Sequence, residues 1–275
     1  MTEETRQIAQ RQRQAWQQFD AGETTEAPDG WPDHAGLAEL EQHERTFISL
    51  TEVLADDTLS LIVEVSPIVG SSTDRATHVA SFVRACETHG AVGVTIPVDA
   101  GAGTPVSDIQ AARDACSLPL IARGMMLHPL QLRAVRAAGA HGVLIPAHIF
   151  DDDQDLEHDF QLAEIVAYAQ RLGLEAGISV RSADQLELAM AAEPDLLNID
   201  NRIRSGSVNI DRTLELLADV PVGTPVLSES IAQADEVARL QRAGVDGLVL
   251  DDAYIGDELD VTLAAYRTLM LDEHL

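Results

Sequence analysis

The chain has 275 residues, of which 45% are apolar and only 4% aromatic, so one domain-sized core built mainly from Ala, Val, Leu and Ile is expected. Its formal charge of −28 sets 46 acids against 18 bases, every base is arginine, and lysine is absent. Such a charge excludes nucleic acid and anionic membrane as partners, and no stretch approaches the roughly 18 to 20 apolar residues of a membrane span, so a cytoplasmic protein is expected.

The acids are scattered along the chain rather than gathered in a tail, which describes an acidic surface all round. Self-repulsion on that scale is tolerable where salt is high, because the Debye length falls to about 3 Å near 1 M. A halophilic cytoplasm is the natural inference, and an ordinary acidic protein from a high-GC genome is the alternative. Cys86 and Cys116 fall in helix-like stretches with no second pair or His cluster nearby, so they read as packing residues and not as a disulfide or zinc site.

Residues 1–33 are polar, then carry Pro28, Gly30 and Pro32, and read as a flexible or helical lead-in to a barrel over residues 34–275. Apolar spacing from Gly36 to Ala55 predicts a helix before the first strand. Eight short apolar runs follow: Leu59 to Val65, Ala91 to Val98, Leu118 to Arg123, Gly142 to Pro146, Leu174 to Val180, Leu196 to Asp200, Thr224 to Ser228 and Gly247 to Leu250. Helix-like stretches separate them: Arg75 to His89, Pro129 to Ala138, Leu156 to Leu172, Ala183 to Ala192, Asp211 to Ala218, Ala234 to Ala243 and Val261 to Leu271. Punctuation such as Ala138-Gly139-Ala140 and Ala243-Gly244-Val245 fits a helix C-cap turning directly into a strand. Eight βα units in one domain predict a closed (β/α)8 TIM barrel with an N-terminal helical extension.

In such a barrel the chemistry sits at the C-terminal ends of the strands. Those positions hold Glu64 and Ser66, Asp99, Arg123, His148, Ser179 and Arg181, Asp200 and Arg202, Glu229 and Ser230, and Asp251 and Asp252. A polar residue just after a strand is also a common loop or cap residue, so each position alone carries a structural alternative.

Taken together and in order, these segments resemble one family. Leu61-Ile62-Val63-Glu64-Val65 is similar to an "AEVK" first strand, Ser66-Pro67-Ile68-Val69-Gly70 to an "SPSKG" phosphate loop, and Thr95-Ile96-Pro97-Val98-Asp99 to "SVLTD". Leu118-Pro119-Leu120-Ile121-Ala122-Arg123 resembles "LPVLRK", Asp200-Asn201-Arg202 stands at "NNR", and Ser228-Glu229-Ser230-Ile231 at "ESGI". The chain thus resembles indole-3-glycerol phosphate synthases over roughly residues 45 to 270. The resemblance implies a lyase of tryptophan biosynthesis that closes an indole ring on an anthranilate-derived ribulose phosphate, losing carbon dioxide and water, with no cofactor or metal. It implies Glu64 and Glu229 as acid/base groups, with Ser66, Gly70, Asp99, Arg202 and Ser230 at substrate-binding positions.

The departures concern proton transfer. The family uses two lysines; here the first strand runs directly from Val65 to Ser66, and Arg123 occupies the third-strand lysine position. Arginine binds carboxylates bidentately but is a poor proton donor near neutrality, which leaves His148 at the fourth strand as the neutral-pH shuttle that can stand in. Ser179 replaces a glutamate, Asp200 an asparagine, and the glycine after Ser230 is missing. Three readings stay open: a lysine-free lyase with Glu64, Arg123, His148, Asp200 and Glu229 as catalytic residues; a barrel whose Glu64, Asp200, Glu229 and Asp251 hold Mg²⁺; and a catalytically idle paralogue that binds a metabolite or partner. A small anionic molecule is the expected substrate.

Overall fold

A computed structural model describes residues 2–42, 46–55, 59–65, 74–98, 104–150, 160–202, 207–231, 234–250 and 259–271. Eight parallel strands close into a barrel in sequence order: β1 (Ser60–Glu64), β2 (Gly93–Pro97), β3 (Leu120–Arg123), β4 (Gly142–Pro146), β5 (Glu175–Val180), β6 (Leu196–Asp200), β7 (Val226–Glu229) and β8 (Gly247–Leu250). Every run predicted as a strand contains one, with ends within two residues.

Helices α1 (Glu3–Asp20), α2 (His34–Leu40) and α3 (Leu50–Leu54) precede the barrel. The predicted single helix from Gly36 to Ala55 is therefore two. Helix α3 starts afresh because its first turn is capped twice: Ser49 Oγ accepts from Glu52 N (3.0 Å), and the Glu175 carboxylate accepts from Leu50 N (2.7 Å) and Thr51 N (3.1 Å). The outer layer comprises α4 (Arg75–Thr88), α5 (Ser107–Arg113), α6 (Pro129–Ala138), α7 (Leu162–Arg171), α8 (Ala183–Ala191), α9 (Asp211–Leu217), α10 (Ala234–Ala243) and α11 (Leu259–Leu271). Helix α5 went unread in the sequence because a charge interrupts its inner face; Asp108 is buried there and accepts from Arg75 Nε of α4 (2.9 Å). Cys116 lies in the turn after α5 rather than in a helix, whereas Cys86 is buried in α4, where burial pushes its thiol up to about 12. At the end of α6, Gly139 takes φ 114°, a backbone conformation that strains any residue with a side chain, so glycine is favoured there.

Helix α1 packs Trp16 and Phe19 against Leu130, Ala134 and Ala137 of α6, and Arg13 Nη2 donates to the Ile149 carbonyl just past β4 (3.2 Å). Among the described residues no helix is long and apolar enough to cross a membrane.

The strand registers stack the inward-facing residues in tiers of four from alternate strands. At the bottom lie Gly93, Gly142, Leu196 and Gly247, and on them the tier of Ile62, Ile121, Gly177 and Leu227. Above it lie Thr95, Leu144, Asn198 and Val249, and above those Glu64, Arg123, Ser179 and Glu229. Leu50 and Leu54 of α3 join the lower apolar tiers in one cluster and plug the N-terminal end. The pleat alternation explains the change of chemistry along the axis. Three ionisable groups at the mouth sit two residues beyond an apolar one on the same face: Glu64 beyond Ile62, Arg123 beyond Ile121 and Glu229 beyond Leu227.

Candidate active site at the barrel mouth

The tier of Glu64, Arg123, Ser179 and Glu229 forms a charged ring. Arg123 Nη1, at the end of β3, lies 2.7 Å from Glu64 Oε2 of β1 and 2.7 Å from Glu229 Oε1 of β7. Glu229 is fully buried and also takes Arg202 Nη2 on Oε1 (2.7 Å) and the Asn198 amide on Oε2 (2.7 Å). Burial alone pushes the Glu229 carboxyl up, but Arg123, Arg202 and the Asn198 amide overcome it and hold the group below the usual carboxylate range. For Arg123 burial acts downward, and the carboxylates of Glu229 and Glu64 outweigh it, so its pKa is raised. Glu229 is therefore an anion and Arg123 a fixed cation. Arg123 has no proton to give.

The rim above this ring belongs to β5 and β6. Asp200, buried at the end of β6, accepts from Arg181 Nε (2.8 Å) and Nη2 (2.6 Å) on Oδ2, and from the Arg202 backbone N–H on Oδ1 (2.9 Å). Arg212 of α9 clamps the same segment, with Nη1 donating to the carbonyls of Asp200 (2.6 Å) and Arg202 (2.7 Å). The side chains of Arg181 and Arg202 remain 43% and 40% exposed, so two cations held by buried carboxylates face the opening. Asn201, beside them, is structural: its amide donates to Ser228 Oγ (2.9 Å) and the Glu229 carbonyl (2.8 Å), and Thr213 Oγ donates to its Oδ1 (2.8 Å).

Of the strand-end positions read from the sequence, the structure brings Glu64, Arg123, Asp200, Arg202 and Glu229 together. His148 stands after β4 on the 3₁₀ turn Ala147–Ile149, half-buried, on the side of the mouth where Arg13 reaches Ile149. Ser230 is buried with φ 61°, a left-handed conformation that costs a non-glycine residue roughly 1–2 kcal/mol. The chain thus makes with serine a turn for which glycine is the usual residue. Ser66, Gly70, Asp99, Asp251 and Asp252 lie outside the described residues.

The Mg²⁺ reading requires carboxylates that share an unpaired space. Glu64, Asp200 and Glu229 instead each face an arginine, and among the described residues no group of three could hold a metal ion. Two polar residues escaped the sequence-based selection. Asn198 and Thr95 sit inside apolar strand runs, where only strict alternation with Asp200 or Pro97 would have marked them as inward-facing. Arg181 was visible as a strand-end residue, but nothing in the sequence tied it to Asp200.

The other end of the barrel is built for stability. Glu175, at the start of β5, accepts from the hydroxyls of Ser49 and Thr51 (both 2.6 Å) in addition to the two backbone N–H groups of α3. A cleft of about 420 Å³ opens at that end, lined by Thr51, Leu54, Pro221 and Asp246 among others, far from the charged ring.

A family model for indole-3-glycerol phosphate synthase matches residues 26–265. The chain belongs to the indole-3-glycerol phosphate synthase family. The indole-3-glycerol phosphate synthase of Leptothrix cholodnii is 32% identical over 190 residues, covering 68% of this chain and 70% of that protein. That of Verminephrobacter eiseniae is 33% identical over 150 residues, which span 54% of each. Among solved structures, the N-acetylmannosamine-6-phosphate 2-epimerase of Clostridium perfringens superposes with a TM-score of 0.61 at 15% identity, covering 78% of this chain and 93% of that one. Thiamine phosphate pyrophosphorylase of Pyrococcus furiosus gives 0.57 at 15% identity over 78% and 96%. Both likenesses concern the barrel alone. The cations of this chain are arginines throughout, with no lysine in its sequence.

Proposed function

We propose that the chain is a lysine-free lyase of the indole-3-glycerol phosphate synthase type, acting on a small anionic substrate in tryptophan biosynthesis. The observation that carries the reading is the guanidinium of Arg123 at the end of β3, held between Glu64 and Glu229 at the position where the sequence resemblance puts the family's third-strand lysine. Ring closure on an arylamino ketose phosphate turns a carbonyl oxygen into a hydroxyl, releases carbon dioxide from the ring carbon, and then expels that hydroxyl as water. Arg123 serves as the electrostatic partner of the substrate's negative charge, a role its fixed protonation suits. Arg181 and Arg202 offer two further cationic contacts at the rim.

Proton transfer falls to other groups. Glu229, held as an anion, is a base, and Glu64 is the second carboxylate within reach of the same space. The proton for the carbonyl oxygen and the departing hydroxyl comes from His148 or from water ordered by it, because imidazole is the side chain that carries a transferable proton near neutrality.

The test is turnover of carboxyphenylamino-deoxyribulose phosphate in multimolar KCl, followed by indole fluorescence, with Glu64→Ala as control. Indole product that vanishes in the variant supports the reading; a folded protein that makes none overturns it. A second reading, a barrel that binds a metabolite without converting it, is favoured by one observation: Glu64, Asp200 and Glu229 are each already paired with arginine. Saturable binding of the same compound without product would select it.

A further inference from the structure

The tier beneath the charged ring holds two buried polar atoms with no hydrogen-bond partner, Thr95 Oγ1 and Asn198 Oδ1. Their residues are 1% and 0% exposed, and they stand on β2 and β6, opposite walls of the barrel. The orientation of Asn198 is fixed chemically. Its amide nitrogen donates to the Glu229 carboxylate (2.7 Å) and to Ser179 Oγ (3.0 Å), and turning the amide over would set its carbonyl oxygen against the carboxylate. Its Oδ1 is thus an acceptor left unanswered. An orphaned buried polar group costs about 1–3 kcal/mol, so two of them in one tier form an expense that packing does not repay. Valine, as used at Val249 of the same tier, would fill the Thr95 position without that cost.

Directly above, the Arg123–Glu229 pair spans the barrel axis and seals the tier. The pair is held by charge, and a ligand anion competes for the same guanidinium.

We infer that Thr95 and Asn198 form a recognition floor for uncharged O–H or N–H groups of the ligand, reached when the ligand's anionic group draws Arg123 away from Glu229. The inference rests on the proposal that the mouth takes a small anionic substrate, and it adds that the substrate must carry hydrogen-bond donors close to its charge. Asn198 accepts from the ligand while its nitrogen keeps Glu229 in place. Thr95 has no other bond to lose. A purely apolar or donor-free anion engages the rim arginines but gains nothing from the floor.

Thr95→Val is the decisive variant, since it preserves shape and leaves the charged ring intact. Calorimetric titration with carboxyphenylamino-deoxyribulose phosphate in multimolar KCl is expected to show binding weakened about ten-fold, with the melting temperature unchanged or raised because no internal hydrogen bond is removed. Equal affinity in the variant and the parent overturns the floor, as does a melting temperature lowered by several degrees, which would mean that Thr95 is bonded internally. Binding that depends on Thr95 without indole formation sinks the lyase reading and leaves the floor standing. Absence of binding to the parent chain overturns both.

Discussion

Arg123 on β3 and Glu229 on β7 start four strands apart, on opposite walls of the barrel, and their side chains meet at 2.7 Å across its axis. A bridge across the axis narrows the mouth and fixes where charge resides before any ligand arrives. Truncating the arginine leaves a fully buried carboxylate with Arg202 as its remaining cation. Arg123→Ala is expected to lower unfolding stability in urea by about 3 kcal/mol, the low end for breaking a buried pair because Arg202 stays. An unchanged midpoint would show that the bridge contributes nothing in solution.

His148 is tested by the shape of a pH profile. If imidazole supplies the proton, His148→Gln lowers kcat about 100-fold and removes the alkaline limb of the rate profile, with KM little changed. A variant with the parent's profile would assign the proton to solvent.

Acid sensitivity has a separate source at His141. Its Nδ1 accepts from Leu120 N (3.0 Å) and its Nε2 meets the Thr46 carbonyl (3.1 Å), a pattern that requires the neutral ring. Burial, joined by Arg113 and Arg136, lowers its pKa to about 4 from 6.5. A depressed folded-state pKa means that the contribution is complete above 6.5, declines as pH falls below it, and is lost once pH passes through 4, amounting to up to about 3 kcal/mol. Glu229, also depressed, adds a loss that begins only below its ordinary 4.5. Denaturant midpoints measured against pH should therefore fall between 6.5 and 4, and His141→Gln should flatten that window while sparing the steeper loss beneath it.

Glu175 resembles a catalytic acid in composition and is expected to behave as a fastener. Glu175→Ala removes four hydrogen bonds to Ser49, Leu50 and Thr51 and should cost about 2–4 kcal/mol of stability, with ligand affinity at the mouth unaffected. Loss of affinity at full stability would contradict that assignment.

The barrel was legible because eight apolar runs of strand length alternate with amphipathic stretches, and in Gly142–Pro146, Leu196–Asp200 and Gly247–Leu250 the run is the strand, end to end. The site was legible as a set of strand ends but not as a network. Pairing depends on which strands face each other, a relation of tertiary structure, so Arg181 could not be assigned to Asp200 nor Asn198 to Glu229 from spacing. The helix from Gly36 to Ala55 failed for a related reason: the first turn of α3 is capped by a carboxylate more than 120 residues away. Close approach is equally hidden. Gly177 looks like a weak point in a strand, yet a Cβ there would meet Leu196 Cδ1 at 2.7 Å.

The plug formed by Leu50 and Leu54, tied down through Glu175, leaves the mouth beside Arg181 and Arg202 as the open end of the barrel among the described residues. On the proposed activity, substrate and products share that one end. Reactant and product then occupy one passage in turn, never together. An inhibitor resembling the product should accordingly raise the apparent KM and leave the maximal rate untouched.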